Sequence, residues 1–238
     1  MVYGPAGSLE NSKRPAAGSR RWIVIGQWLF LGLSIFGLAG CSLFIMAGKM
    51  FFGDPEATAA FQLATGVDLT KGDKKVVVLC SAPSMMEGGE LSANYEIVED
   101  VSRRLKRRNI KLMSSNLVRT WMDDNGGRLD DPRDLVEDFD VDYIIYIRLA
   151  RVTFREENSP SLYRGVANGE VFAYEVAKEA GEPVVREVFS RNFGTVYPEG
   201  HPKDQIDSLR IFQKQVLERV SAQIAHLFYS HKVSEEIF

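Results

Sequence analysis

The chain opens with one long apolar run and continues with shorter hydrophobic patterns of two kinds. Residues 22–48 contain no charged side chain, and about 20 apolar residues suffice to cross the hydrocarbon core of a membrane. Beyond this run, β-branched stretches bounded by turn residues predict strands, and apolar residues spaced three and four apart predict helices. The pattern therefore predicts an N-terminal membrane segment followed by a domain of mixed secondary structure.

Five strands are predicted from the later apolar runs. Residues 75–79 form a continuous β-branched run, which is typical of a central strand buried on both faces. A short strand is predicted at residues 110–113. Three longer strands, at residues 143–154, 163–176 and 183–193, are separated by short polar turns and predict an antiparallel meander.

Three residues of the long strands predict irregularities in the sheet. Arg148 interrupts the alternation of apolar and polar side chains, which indicates a β-bulge at that position. Gly165 and Gly169 lie inside the second long strand, where glycine often marks a bulge or a close approach of another segment.

Helices are predicted between and after these strands. Residues 95–108 carry an apolar stripe at spacings of three and four, and residues 115–122 form a second, serine-capped helix. A third helix begins at Pro132, behind the acidic cap residue Asp131. The last helix is predicted at residues 204–229, with seven apolar residues on one side.

This order of elements predicts an α/β fold, an α+β sandwich in which helices flank a mixed sheet that contains the antiparallel meander. It also divides the chain. We expect a disordered cytoplasmic region at residues 1–21, a signal peptide or transmembrane anchor at 22–48, a tether at 49–72, a single extracytoplasmic domain at 73–231 and a tail at 232–238.

The apolar run has two interpretations, which the sequence leaves open. Leu38, Ala39, Gly40 and Cys41 resemble the lipobox of bacterial lipoproteins, in which the cysteine is acylated and the chain is cut just before it. However, the residues after Cys41 stay apolar as far as Gly48, which favours an uncleaved transmembrane helix. Both interpretations imply that the membrane is a partner of this chain.

Charge and cysteine content indicate which partners the domain can bind, on which side of the membrane it lies and whether it forms a disulfide. Residues 1–54 carry five basic and two acidic residues, and the remainder carries 24 basic and 30 acidic residues. An acidic domain lacks the basic face that nucleic acids require, and the basic N-terminus favours export of the domain to the periplasmic side. With Cys41 acylated, Cys80 has no disulfide partner in the chain, and its apolar neighbours predict a buried thiol.

One basic cluster offers a candidate binding site at the end of the first long helix. Its side chains suit the negative end of the helix dipole and are typical of a solvated helix end. The alternative is a site for an anionic surface, formed by Arg103, Arg104, Lys106, Arg107, Arg108 and Lys111.

The motif inventory predicts no enzyme activity. The sequence has no G-x-S-x-G, phosphate loop, G-x-G-x-x-G, H-E-x-x-H or C-x-x-C motif. His226 and His231 are five residues apart, which places them about 140° apart on a helix, so we expect no metal site and no cofactor. Acids between Asp123 and Asp134 give the alternative of a cell-envelope hydrolase that uses paired carboxylates.

The domain resembles a small family of bacterial envelope proteins. The strand at Val76, the sequence from Leu135 to Ile145 and the turn at Gly181-Glu182 are similar to those of penicillin-binding-protein activator lipoproteins, the curli secretion lipoprotein and the N-terminal domain of the translocation protein TolB. The whole chain also resembles uncharacterised lipoproteins of planctomycete-type bacteria. The resemblance implies a non-enzymatic binding or assembly module that acts on envelope proteins and carries no catalytic residues.

Overall fold

The computed structural model describes residues 55–82 and 93–236. The predictions for residues 1–54, including the lipobox and Cys41, lie outside these residues. The described elements, in chain order, are β1 (Glu56–Ala57), α1 (Ala60–Thr65), β2 (Lys75–Ser81), α2 (Ala93–Arg107), β3 (Lys111–Leu112), α3 (Ser115–Asp124), α4 (Pro132–Asp138), β4 (Tyr143–Glu156), β5 (Ser159–Glu179), β6 (Glu182–Tyr197), α5 (Leu209–His226) and β7 (His231–Lys232).

The five strands predicted from the sequence form one mixed sheet in the order β3-β2-β4-β5-β6. Strands β3, β2 and β4 run parallel, whereas β4, β5 and β6 form the predicted antiparallel meander. The α/β fold class is therefore confirmed. The two-residue strands β1 and β7 pair with each other in a separate antiparallel ribbon.

Helices cover both faces of the sheet, which gives three layers. Helices α1, α2 and α5 pack on one face around Val78, Ile145 and Val216. Helices α3 and α4 pack on the other face around Leu79 and Ile144. Among the helices of the described residues, none is both long and apolar enough to cross a membrane.

Strand β2 is buried on both faces, as its apolar run predicts: every residue from Val76 to Ser81 is buried. Alternate residues of this strand therefore contribute to both core clusters, Val78 to one and Val77 to the other. The Cys80 thiol is buried in the first cluster. Burial raises its pKa well above the ordinary value for a thiol.

The predicted bulge in β4 is present, but it lies beyond Arg148. Residues up to Leu149 keep regular register with β5, and the register shifts between Leu149 and Arg151. Arg148 keeps the alternation because it lies on the same face as Tyr146. Its guanidinium packs over the Phe172 ring, 4.7 Å from the ring centroid. An arginine at this exposed position is therefore stabilised by a cation–π contact.

Both glycines predicted as close approaches have that role. A Cβ atom on Gly165 would lie 2.2 Å from the Val216 side chain, and one on Gly169 would lie 2.3 Å from the backbone oxygen of Arg148. Each glycine allows a neighbouring element to approach β5.

The tether prediction is wrong for residues 55–72, which belong to the domain. Phe61 and Leu69 are buried in the main core, and the backbone N–H of Phe61 donates to the oxygen of Leu227 at 2.9 Å. The predicted tail is shortened as well, because Lys232 pairs with Glu56 in the β1–β7 ribbon. These segments carry few apolar residues and show no strong pattern of their own. Their apolar residues pack against the main core, which other elements form.

The last helix, predicted from residue 204, begins later in the structure. Lys203 exchanges two backbone hydrogen bonds with Tyr163, at 2.7 and 2.9 Å. This bridge holds the chain extended, and helix α5 follows Ser208. From Phe212 to Ile224 the predicted apolar side is buried.

Candidate functional site

The predicted basic cluster of helix α2 divides into two groups. Arg103 and Arg104 both form ion pairs with Asp100, which is only 6% exposed. Arg104 also contacts the backbone oxygen of Glu218 in α5, at 3.4 Å. These two arginines therefore compensate a buried carboxylate and join two helices, so a surface ligand would have to compete with Asp100 for them.

The second group lies at the very end of α2 and is solvent-exposed. Lys106, Arg107, Arg108 and Lys111 are exposed, and the Arg108 guanidinium lies over the Tyr229 ring at 4.8 Å from its centroid. Arg103 is also partly solvent-exposed, but it pairs with Asp100.

The acids between Asp123 and Asp134 bind different partners. Asp123 accepts a hydrogen bond from the Tyr95 hydroxyl, and this bond is the main reason that the pKa of Tyr95 is raised. Asp130 pairs with Arg128. Asp131 caps α4 as predicted, and its hydrogen bonds from Arg133 hold the pKa of its carboxyl below the usual value.

These acids therefore act as caps and ion-pair partners at separate positions. Within residues 55–82 and 93–236, no group of three or more His, Cys, Asp or Glu side chains is arranged to hold a metal ion. Asp123, Asp130 and Asp131 thus each have a hydrogen-bond or ion-pair partner of their own.

The two C-terminal histidines lie together, contrary to the sequence-based expectation. Helix α5 ends at His226, and the chain then turns so that His231 in β7 returns to it. The two imidazole rings stack with their centroids 4.0 Å apart and an interplanar angle of 12°. The expectation of 140° separation assumed that one helix continues through both residues.

Among the strands of residues 55–82 and 93–236, one long strand lies at an edge of the sheet. Strand β6 is the last strand in the sheet order and spans Glu182–Tyr197. Among the described residues, its backbone hydrogen bonds go to β5. Only Phe189 and Phe193 of this strand are buried. A strand edge of this kind presents a row of N–H and C=O groups with which another extended chain can pair.

A groove runs beside the C-terminal part of this edge. Its volume is about 650 Å³. Gly194, Thr195 and Val196 of β6 form one wall, and α5 forms the opposite wall through Ala222 and Gln223. Ala57 and His231 of the β1–β7 ribbon also line it. We call this feature the β6–α5 groove.

The walls of the β6–α5 groove are fixed by side-chain contacts. The Thr195 hydroxyl donates to the Gln223 side-chain oxygen at 2.7 Å, and the Arg219 guanidinium packs over the Tyr197 ring at 3.9 Å from its centroid. Gly194 faces open space, since a Cβ atom there would meet no atom within 4 Å.

The lining of the groove combines small side chains with charged and polar ones. Small side chains of β1, α1 and α5 leave room, while Arg219, His226, His231 and Glu199 offer charged or polar contacts. An extended chain could pair its backbone with β6 and place alternate side chains in the groove. The sequence predicts a strand at residues 183–193, whereas β6 spans Glu182–Tyr197. Its position at the sheet edge depends on pairing between distant segments.

Comparison with known proteins finds similarity at the level of structure. No protein-family model matches the sequence, and no curated protein matches it. Similar solved structures include a PelC dodecamer from Paraburkholderia phytofirmans, with 10% identity over 74% of this chain and 96% of that chain and a TM-score of 0.36.

Two further similar structures come from other bacteria. The hypothetical protein CT253 from Chlamydia trachomatis has 10% identity over 65% of this chain and 97% of that chain, with a TM-score of 0.40. Lipoprotein GNA1162 from Neisseria meningitidis has 15% identity over 64% of this chain and 98% of that chain, with a TM-score of 0.35. The solved structures to which this chain is similar thus include a bacterial lipoprotein.

Proposed function

We propose that this chain is a membrane-tethered binding or assembly module of a bacterial cell envelope, without enzyme activity of its own. The domain works on the extracytoplasmic side, and it binds an extended segment of an envelope protein at strand β6. The observation that carries this proposal is the long open edge of β6 beside a groove of about 650 Å³.

The two edges of the sheet support an interaction role for β6. The opposite edge is β3, which has only two residues, whereas β6 has 16. Short edge strands are one means by which proteins avoid unwanted pairing. The β6 edge is not shortened in this way, and it suits a function in which another chain adds to the sheet.

The β6–α5 groove gives such pairing its specificity. Backbone hydrogen bonds to β6 would supply affinity for any extended chain, while the groove selects side chains by size and charge. Because Ala57, Ala60, Ala222 and Gly194 line it, bulky side chains of the partner have room there. Arg219 and Glu199 then favour a partner segment with its own charged residues at matching positions.

Cross-linking of the membrane-bound protein in its own cells tests the proposal. We expect mass spectrometry to identify a recurrent envelope protein linked to residues of β6 or α5. A wild-type chain that forms no links to another protein would contradict the binding-module function.

A matched pair of glycine variants locates the binding site. Gly194→Arg places a large side chain in the groove, and Gly200→Arg places the same side chain beyond the end of β6; a Cβ atom meets no atom within 4 Å at either position. We expect Gly194→Arg to reduce the yield of partner cross-links at least about tenfold, the effect of losing roughly 1.4 kcal/mol of binding free energy. Gly200→Arg should leave the yield unchanged. Equal yields in the two variants would contradict binding in the groove.

A further inference from the structure

A second groove lies between helices α2 and α5, which pack against each other on one face of the sheet. Side chains at spacings of three and four line it, from Glu96 to Arg103 in α2 and from Arg210 to Ser221 in α5. Its volume is about 270 Å³. At about 30 Å³ per water molecule, the groove has room for about nine waters or for a ligand of dipeptide size. We call this feature the α2–α5 groove.

The floor of the α2–α5 groove is buried and contains a hydroxyl group without a hydrogen-bond partner. Ser221 is 0% exposed, and its Oγ atom forms no hydrogen bond in the part of the chain that the structure describes. Leu217 and Asp100, which also line the groove, are buried as well. A buried hydroxyl group without a partner costs free energy. A polar ligand atom in the groove would supply the missing hydrogen bond.

Charged side chains of both signs surround this floor. They are Glu96, Glu99, Asp100, Arg103, Arg210, Lys214 and Glu218. Asp100 pairs with Arg103, and Lys214 pairs with Glu218 at 3.8 Å. Within residues 55–82 and 93–236, no ion pair of 4 Å or less includes Glu96, Glu99 or Arg210. Two acids and one base of the lining are therefore unpaired among the described residues.

These unpaired charges lie on opposite walls of the α2–α5 groove. Glu96 and Glu99 belong to α2, and Arg210 belongs to α5. All three are exposed, so they can meet a ligand that enters from solvent. A ligand with one positive and one negative group could pair with both walls at once, whereas an ion of a single sign could pair with only one of them.

Two simpler roles do not account for both acids. The helix dipole favours an acid in the first turn of a helix, which suits Glu96 but not Glu99, in the second turn of α2. A metal site is disfavoured too, because the described residues contain no group of three or more His, Cys, Asp or Glu side chains arranged to hold a metal ion. A positively charged organic group, such as an ammonium, is the partner that suits both carboxylates.

We propose that the α2–α5 groove binds a zwitterionic ligand of dipeptide size. The ammonium group of the ligand contacts Glu96 and Glu99, its carboxylate contacts Arg210, and one of its polar atoms forms a hydrogen bond with the Ser221 hydroxyl. This site goes beyond the proposed function, because it shares no lining residue with the β6–α5 groove.

Isothermal titration calorimetry of the full-length protein in detergent tests the proposal with three probes. Glycylglycine carries both charges, N-acetylglycylglycine lacks the ammonium group, and glycylglycinamide lacks the carboxylate. We expect glycylglycine to bind with a millimolar Kd and each of the other probes to bind at least about tenfold more weakly, because a hydrogen bond between charged groups is lost. Absence of glycylglycine binding at millimolar concentration, or equal affinity for all three probes, would overturn the proposal.

A matched pair of double variants locates the ammonium contact. Glu96→Gln with Glu99→Gln should weaken glycylglycine binding at least about tenfold, because both carboxylates are lost. The control is Glu137→Gln with Glu182→Gln, which removes the same charge at exposed positions outside the groove and should leave the affinity unchanged. Equal affinity of the two double variants for glycylglycine would overturn this contact.

Arg210→Gln tests the carboxylate contact. This substitution and the amide group of glycylglycinamide remove the same ion pair, so their effects should not add. We therefore expect the Arg210→Gln variant to bind glycylglycine and glycylglycinamide with equal affinity. A further loss of affinity for glycylglycinamide would overturn this contact, since the carboxylate would then bind elsewhere.

Ser221→Ala tests the floor of the groove with two measurements. Loss of one hydrogen bond should weaken glycylglycine binding about fivefold. The free energy of unfolding in urea should not fall, because the hydroxyl group has no partner to lose within the described residues. Unchanged affinity for glycylglycine, or a clear loss of stability in the free protein, would overturn the role of this hydroxyl group.

Discussion

Strands β2 and β6 belong to the same sheet, but they differ in burial and in the number of neighbouring strands. All residues of β2 after Lys75 are buried, and it has a neighbour on both sides. Strand β6 buries two of its 16 residues and has one neighbour. The difference predicts that the fold depends more on the side chains of β2 than on those of β6.

The sharpest test of this comparison removes side-chain volume from each strand. Leu79→Ala in β2 should lower the free energy of unfolding by about 2–5 kcal/mol, because a fully buried side chain leaves a cavity. Val196→Ala in β6, where the side chain is 41% exposed, should change it by less than about 0.5 kcal/mol. Urea-dependent proteolysis of the full-length protein measures both. Similar losses in the two variants would contradict the distinction.

Two glycines test how closely the edge strand and its inner neighbour are packed. Gly169→Ala in β5 should destabilise the fold by about 1–3 kcal/mol, since the new Cβ atom meets the Arg148 backbone and the Phe193 ring. Gly194→Ala in β6 should be close to neutral because the space beside it is open. The same proteolysis assay applies, and a neutral Gly169→Ala would show that β4 and β5 can move apart.

A smaller effect concerns the thiol at the end of β2. Since burial raises the pKa of Cys80, the folded chain keeps a proton that the unfolded chain releases above pH of about 8.5. Stability should therefore fall as the pH rises from 8 to 9.5, and Cys80→Ala should remove that part of the slope. Alkylation at pH 8, read on the Cys80 peptide, should proceed only after unfolding. Rapid alkylation of the folded protein would contradict the burial of this thiol.

Local patterns were sufficient to predict the fold class. The β-branched run of β2, the Asp131 cap before Pro132 and the meander turn at Gly181 each depend on neighbours in sequence, and each has its predicted role. The antiparallel pairing of β5 and β6 follows from the same turn. Such features could be predicted because their physical causes act over a few residues.

The candidate sites were harder to predict because they depend on contacts between distant segments. The division of the α2 cluster follows from the burial of Asp100 against α5, and the histidine stack follows from the end of α5 at His226. The burial of Phe61 depends on Leu227, which lies far along the chain. The spacing of residues in the sequence carries no signal of these contacts.

The pairing of β1 with β7 has a consequence for biosynthesis. Glu56 and Lys232 are partners, yet the ribosome releases the first of them long before the second. The contact of Phe61 with Leu227 can form only after Leu227 has left the ribosome, and the β1–β7 ribbon only after Lys232 has followed it. Closing such a long loop carries an entropic cost, and contacts of this separation slow folding. The domain thus stays open at β1 until β7 has been synthesised, and a nascent chain of this protein needs protection there until then.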